Sequence, residues 1–239
     1  MSLFSFDGTA GESKVTQKLL GNDIYKVKFD GAEIKDYKEG TVKVLLLKFS
    51  NDEGYFTHTV FEPTVEKGDF KRGESKFMNK NGVEEKIPQP SNAETMMQLF
   101  KHLIDAVNPE LGIQINKGEK SIGAPNWDGL RKLIVKATEK GIGVETNIKL
   151  LKKTKSDGKE EAVFPGFFAG IDREDPKKIY IKNKFIGNKL SFTAYETTKM
   201  NAAPKPMTNV SKTTQGSEFS MGDINTNLLD DPDLTNFDL

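Results

Sequence analysis

The strongest constraint on the fold is a two-residue alternation of side chains in the first third of the chain. Tyr25, Val27 and Phe29 alternate with Lys26 and Lys28. This period is typical of a β-strand that buries one face and exposes the other to solvent. We therefore expect a sheet to organise the fold.

Two further strands are predicted directly after the first one. The segment 41–50 is apolar on both of its faces, and the segment 55–61 returns after a turn at 51–54. Short connections of this kind produce an antiparallel meander. The segment 62–90 that follows is polar and rich in Gly and Pro, so it is predicted to be a long functional or disordered loop.

Two amphipathic helices are expected in the middle of the chain. Ser91 and Glu94 form a capping-box pattern before an apolar stripe that ends at Pro109. The second helix is predicted over 126–140, with Asn126 as its N-cap. We interpret Trp127, at the start of this helix, as a core residue.

Strand patterns return in the last part of the body. They lie at 144–154, 161–171, 179–183 and 190–196. The turn 156–159 (S-D-G-K) joins the first two into a hairpin, and the last two are expected to form an extra hairpin.

The order of three strands, a helical section and a hairpin is the order of an OB-fold. The predicted fold class is therefore mainly β with helical insertions: an OB-fold-like five-stranded barrel plus an extra hairpin. We expect one nucleic-acid-binding domain over 1–200, followed by a flexible linker and tail over 201–239.

The C-terminal segment differs sharply from the body in charge. The 239 residues carry 35 Lys+Arg and 35 Asp+Glu, but 201–239 holds two basic and six acidic residues. Its last nineteen residues contain five Asp among Leu and Phe, with no Lys or Arg. This composition predicts a disordered acidic tail used for interactions, and it leaves the body mildly basic.

Several classes of protein are disfavoured by the composition. The chain has no Cys, which excludes disulfides, thiol catalysis and Cys-based zinc sites. No apolar run reaches the ~20 residues that span a bilayer, and the N-terminus lacks a signal-peptide pattern. We expect a cytoplasmic protein with no membrane association.

The sequence offers no convincing catalytic motif. The two histidines, His58 and His102, are interpreted as packing or surface residues. The acidic group Asp172, Glu174 and Asp175 is interleaved with basic residues and is interpreted as a solvated turn. We expect a protein that is not an enzyme and that has neither a cofactor nor a metal.

Lysines and aromatic residues occur together on the predicted strands. These two residue types are the components of single-strand binding. Cations follow the phosphates, and exposed rings stack on bases at about 1–3 kcal/mol each. The sharpest basic cluster lies between residues 149 and 155, in the hairpin that flanks the groove of an OB-fold. The predicted DNA-binding residues are Lys26, Lys28, Tyr37, Lys43, Lys48, Tyr55, Lys71, Arg72, Lys149, Lys152, Lys153, Lys155 and Phe167.

These strands, together with the acidic tip D-D-P-D-L-T-N-F-D-L, resemble the replication single-stranded DNA-binding proteins of phages. The resemblance implies an OB-fold body that binds single-stranded DNA during replication, recombination or repair, in the host cytoplasm. It also implies a tail that competes with DNA and recruits polymerase, helicase-primase or recombinase partners. A homodimer is compatible with the family. The tail residues implied in partner binding are Asp230, Asp231, Asp233, Phe237, Asp238 and Leu239. The final residue is Leu rather than the Phe of the family pattern.

Two alternatives remain open from the sequence. The first is a structural or scaffolding protein whose tail is a peptide ligand and whose body binds no nucleic acid. The second is an RNA-binding OB protein, because discrimination of RNA from DNA depends on recognition of the 2′-OH at individual sites.

Overall fold

The computed structural model describes residues 17–37, 40–78, 82–155, 157–166, 168–171 and 179–201. These residues are mainly β with a few helices, as predicted. The strands are β1 (Asp23–Tyr37), β2 (Val42–Ser50), β3 (Tyr55–Phe61), β4 (Gly73–Met78), β5 (Glu84–Gln89), β6 (Glu145–Thr154), β7 (Glu160–Val163), β8 (Phe168–Ile171) and β9 (Ile179–Lys182). The helices are α1 (Asn92–Val107), α2 (Pro109–Asn116), α3 (Trp127–Thr138) and α4 (Ala194–Asn201), with a 3₁₀ turn at Glu139–Gly141.

Five strands form one antiparallel sheet in the order β3-β2-β1-β6-β7. The meander β1–β3 was predicted from its alternation and short turns, and the hairpin β6–β7 from its S-D-G-K turn. Strands β4–β5 and β8–β9 form two separate two-stranded ribbons. The five-stranded sheet is open rather than a closed barrel, because β3 and β7 are not hydrogen-bonded to each other in the described part of the chain.

Strand β1 changes partner halfway along its length. Its residues 23–28 pair with β6, and its residues 28–37 pair with β2. A register shift between Phe29 and Gly31 marks the change, and Gly31 has φ of +120°, which only glycine adopts readily. Such a bulge bends the strand and increases its twist, so the sheet curls around one face.

The core lies on the inner face of this curled sheet. Phe29, Phe49 and Ile148 are fully buried there, and Phe100 of α1 and Ile134 of α3 pack against them. Each of these side chains contributes about 1.5–3 kcal/mol by leaving water. Trp127 is also buried, and its Nε1 donates to the Lys43 carbonyl at 3.1 Å, as a core residue requires.

The predicted helix starts are confirmed. The Glu94 amide donates to the Ser91 hydroxyl at 3.2 Å, and the Ser91 amide donates to the Glu94 carboxylate at 2.8 Å. Asn126 caps α3 by accepting from the Gly129 amide at 2.8 Å. These bonds satisfy amides that have no partner within the helix.

Three predictions were wrong: the long loop over 62–90, the strand over 190–196, and the hairpin that this strand was expected to form with 179–183. The segment 62–90 is not one long loop, because it contains the paired strands β4 and β5. The segment 190–196 is not a strand but leads into α4, so β9 pairs instead with β8. Thr193 and Glu196 form a capping box there: the Glu196 amide donates to the Thr193 hydroxyl at 3.2 Å, and the Thr193 amide donates to the Glu196 carboxylate at 2.8 Å. The T-x-x-E spacing is the signature of a helix start. Here it prevails over the apolar alternation of residues 190–196, which had suggested a strand.

Candidate nucleic-acid interface

The open side of the sheet is a seam between the edges of β3 and β7. The Phe164 ring, just after β7, lies 4.9 Å from the ring of Phe56 and 4.9 Å from that of His58, both on β3. The two edges therefore approach each other through side chains. Two cavities lie along the seam, one at each end of β3.

The first cavity, which we call the basic cleft, has a volume of about 320 Å³. It is lined by Lys18, Leu19, Leu20, Gly21, Tyr55, Phe56, Thr57, Lys152, Lys155, Lys159, Glu160, Glu161 and Ala162. Four of these residues are lysines and two are glutamates, so the cleft carries an excess of positive charge. It brings together the predicted residues Tyr55, Lys152 and Lys155.

Lys152 and Lys155 of the basic cleft form exposed ion pairs. Lys152 Nζ lies 2.9 Å from Glu160, and Lys155 Nζ lies 2.7 Å from Glu161. The hydrogen bond to Glu161 also raises the pKa of Lys155, so this side chain stays charged. Exposed pairs contribute little net free energy, and a phosphate oxygen can replace a glutamate as the partner of either ammonium.

The segment 17–22 forms one wall of the basic cleft. The Leu19 amide donates to the Tyr55 carbonyl at 2.9 Å, and the Asn22 amide donates to the Leu150 carbonyl at 2.8 Å. The segment thus connects β3 with β6 and places Lys18 beside Tyr55. Close approach requires Gly21, because a Cβ there would lie 2.3 Å from the Lys152 amide nitrogen.

The second cavity, the β3 groove, is larger, at about 820 Å³. It lies between the second half of β3, the segment 62–73, the first turns of α1 and the residues after β7. Phe61 is 57% exposed at its edge. Lys67 and the predicted Lys71 supply cations on its other side. Exposed aromatic surface and cations therefore occur at both ends of the same strand.

The backbone of β3 contributes polar groups to the seam. Tyr55 exchanges backbone hydrogen bonds with Gln17 and Leu19 on the side away from β2. Because an antiparallel strand directs alternate residues to each neighbour, Thr57 and Thr59 direct their amides and carbonyls to the same open side. Their side chains alternate with those of the buried Phe56 and Val60.

Most other predicted DNA contacts on the sheet lie outside the seam. Lys26 pairs with Glu145 at 2.5 Å, Lys48 with Glu33, and Lys43 with Asp128 at 3.2 Å. Lys28 is exposed on β1, two residues from Lys26. Tyr37 is 41% exposed at the end of β1, with the Lys35 ammonium 5.0 Å from its ring. None of these residues lines the basic cleft.

Lys149 is placed where it cannot contact DNA. Its ammonium is fully buried and bonds Glu196 at 2.7 Å, the Asn183 amide oxygen at 2.8 Å and the Ser191 carbonyl at 2.8 Å. The sequence grouped Lys149 with the exposed lysines that follow it. A strand alternates its faces, however, and the covering segment at 183–196 could not be foreseen from local pattern.

The remaining predicted residues have separate positions. Arg72 is exposed and donates to both carboxylate oxygens of Glu94, at 2.5–3.1 Å, so it supports the start of α1. Lys153 is exposed at the end of β6. The other predicted site residues lie outside the described part of the chain. They are Phe167, Asp230, Asp231, Asp233, Phe237, Asp238 and Leu239.

The histidines have the environment of packed residues. Burial lowers the pKa of His58 to about 4, and burial together with the charges of Lys184 and Lys101 lowers that of His102 to about 4. His102 Nε2 lies 2.9 Å from the Gln98 amide nitrogen.

No cluster of three or more His, Cys, Asp or Glu suited to a metal occurs among the described residues, and Asp172, Glu174 and Asp175 lie outside them. None of the described helices combines the length and apolar character needed to cross a bilayer.

Two lysines of the basic cleft were missed by the sequence reasoning. Lys18 lies in a segment interpreted only as a lead-in, and Lys159 lies in a turn noted only for its hairpin pattern. The signal for Lys159 was available, because it follows the basic run 149–155 within one hairpin. Lys18 had no local signal, since its position depends on the pairing of 17–19 with β3.

The chain was compared with known proteins on the basis of its sequence and its fold. No family model, no curated protein and no solved structure matches it. The geometry of the seam is therefore the basis for a functional proposal.

Proposed function

We propose that the protein binds single-stranded DNA along the seam, with little sequence preference, during replication, recombination or repair. The observation that carries this proposal is the convergence of Lys18, Lys152, Lys155 and Lys159 on Tyr55 in the basic cleft. Cations that follow a backbone and a ring that stacks on a base are the two requirements of sequence-tolerant binding.

The dimensions of the seam support a short nucleic-acid track. Strand β3 has seven residues, which corresponds to about 20 Å at 3.3 Å per residue. The basic cleft lies at its start, and the β3 groove with Phe61 and Lys71 lies at its end. A single strand along β3 would therefore meet a basic end, a polar strand edge and an aromatic end in order.

The sheet order supports an OB-like interpretation of the body. Strands β1, β2 and β3 are neighbours in the sheet, and β6 pairs with β1 as the fourth strand. Along the chain, α1 lies between β3 and β6. An OB-fold is a partly open five-stranded barrel with this kind of order, and it binds oligonucleotides on its second and third strands and flanking loops. In this proposal the tail 201–239 recruits replication proteins.

The proposal is tested by fluorescence anisotropy of a labelled oligo-dT with the full chain, against a matched duplex, at low and moderate salt. We expect preference for the single strand and an affinity that falls steeply with salt, because phosphate contacts release counterions. Equal binding to both DNAs, or affinity independent of salt, would contradict the proposal. Tighter binding of a matched oligo-U would move the function to RNA.

A further inference from the structure

A third cavity, which we call the α1 groove, lies away from the seam. It has a volume of about 960 Å³ and lies between the first turns of α1, the end of α2 and the segment 70–72. Its apolar lining includes Phe70, which is 54% exposed, and the half-buried Met97, Ile115 and Ile122. A cavity of this size with an apolar floor is suited to a few side chains of a peptide.

The rim of the α1 groove is basic. Arg72, Lys101 and Lys120 line it, against the single acid Glu94. Glu94 is bound by Arg72, which holds its pKa at about 2, so their charges offset each other. Lys101 pairs with Asp105 at 2.9 Å. Lys120 is exposed, and no carboxylate in the described part of the chain forms an ion pair with it.

The apolar floor and the basic rim together define the chemistry of the occupant. It must carry apolar side chains to fill the groove and carboxylates to meet the rim. The segment 228–239 of this chain has both, with four Asp, three Leu before residue 235, and Phe237 and Leu239 at its end. A purely acidic segment would leave Phe70 in water, and a purely apolar one would desolvate Lys120 without a partner.

The chain is long enough to bring this segment to the groove. The described structure ends at Asn201, and 26 residues (202–227) separate it from Leu228. A flexible chain of that length has a root-mean-square span of about 30 Å. A domain of about 180 residues has a radius of gyration of about 16 Å. Because 26 extended residues span up to about 90 Å, the whole surface of such a domain is within reach.

We propose that the segment 228–239 docks in the α1 groove of its own chain. The apolar side chains of Leu234, Phe237 and Leu239 contact Phe70 and Met97, and the Asp carboxylates contact Lys120 and its neighbours. The inference does not depend on DNA binding by the seam. It gives the acidic segment a resting site on the body that leaves the basic cleft open.

The absence of Cys permits a direct distance measurement in the full chain. Nitroxide labels are attached at Asn236→Cys in the tail and at Glu119→Cys beside the groove, and electron–electron dipolar spectra are recorded with an excess of unlabelled protein. We expect a narrow, short-distance population. A second pair, Asn236→Cys with Thr154→Cys beside the basic cleft, is expected to give a longer and broader distribution.

Substitutions in the groove test whether its chemistry holds the segment. Phe70→Ser and Lys120→Glu should each abolish the short-distance population. The matched controls Val65→Ser and Lys117→Glu change residues that are also exposed but lie outside the groove lining, and they should leave it intact.

Three results would overturn the inference. These are a broad distribution for the 119–236 pair, a short distance at the 154–236 pair instead, and equal effects of groove and control variants. Far-ultraviolet circular dichroism of each variant distinguishes lost docking from lost folding, because Phe70 and Lys120 are both exposed. If the full chain did not bind oligo-dT, that result would contradict the function proposed for the seam but not the docking of the tail in the α1 groove.

Discussion

Lys149 and Glu196 form a buried ion pair that joins β6 to the first turn of α4. The Nζ–Oε2 distance is 2.7 Å, and each side chain is 1% exposed. The remaining polar atoms are also used: Asn183 Nδ2 donates to Glu196 Oε1 at 2.7 Å, and the Thr193 amide donates to Glu196 Oε2 at 2.8 Å. The pair thereby holds the last described helix against the sheet.

Removal of one partner of this pair should strongly destabilise the fold. A buried charge without its partner costs about 3–5 kcal/mol, whereas an apolar replacement of both partners is often neutral. We expect Glu196→Gln and Lys149→Met each to lower the free energy of unfolding by that amount, measured by urea denaturation. The double variant Lys149→Met with Glu196→Leu should recover most of the loss.

An exposed pair provides the control for that measurement. Lys26 and Glu145 are 70% and 52% exposed, and Lys26→Gln should leave the urea midpoint unchanged. If the buried and the exposed variants behaved alike, the network around Lys149 would not be a structural anchor.

The two histidines should make the fold sensitive to mild acid. Burial lowers the pKa of His58 and of His102 from 6.5 to about 4. The unfolded chain therefore binds protons below pH 6.5 while the folded chain does not until about pH 4. Their contribution to stability is complete above pH 6.5 and declines as the pH falls towards 4, by roughly 3 kcal/mol for each residue.

The pH dependence can be assigned by substitution. The variant His58→Gln with His102→Gln should have a flat unfolding free energy between pH 6.5 and 4.5, measured by urea titration at each pH. A separate decline at lower pH should persist, because the bond to Arg72 lowers the pKa of Glu94 from 4.5 to about 2. An unchanged slope between pH 6.5 and 4.5 would show that the histidines are not its source.

Neutralising the basic cleft should weaken DNA binding and its dependence on salt. Each phosphate contact with a single strand contributes about −0.7 to the slope of log affinity against log salt. We expect Lys152→Gln, Lys155→Gln and Lys159→Gln together to make the slope shallower by about 2, measured by anisotropy with oligo-dT. Lys132→Gln, Lys136→Gln and Lys140→Gln, which change exposed residues of α3 and the turn after it, should leave the slope intact.

Loss of the exposed ring at the other end of β3 should reduce affinity without affecting the fold. A stacked base contributes about 1–3 kcal/mol, so Phe61→Ala should weaken oligo-dT binding by that amount with little change in its salt slope. Ile142→Ala removes a side chain that is 58% exposed, as against 57% for Phe61, and should have no effect on binding. Equal affinities of both variants and the parent would exclude Phe61 from the track.

The local elements of this fold were predictable because their signals are short-range. Alternation identified the meander, the spacing of Ser91 and Glu94 identified the start of α1, and Asn126 identified the start of α3. The same rule would have identified α4, since Thr193 and Glu196 repeat the spacing of Ser91 and Glu94. The apolar alternation of residues 190–196 led instead to the prediction of a strand.

Local patterns therefore predicted the strands β1–β3 and β6–β7, the helices α1 and α3 and the separation of charge between body and tail, because side-chain period and charge can be recognised within a few residues. Which lysines face a common cleft depends instead on how distant segments pack together. Lys149 and Lys152 are three residues apart, yet the segment 183–196 buries the first and the seam exposes the second. Lys18 joins that cleft from the other end of the chain. Burial and convergence depend on contacts between distant segments, which no local pattern records.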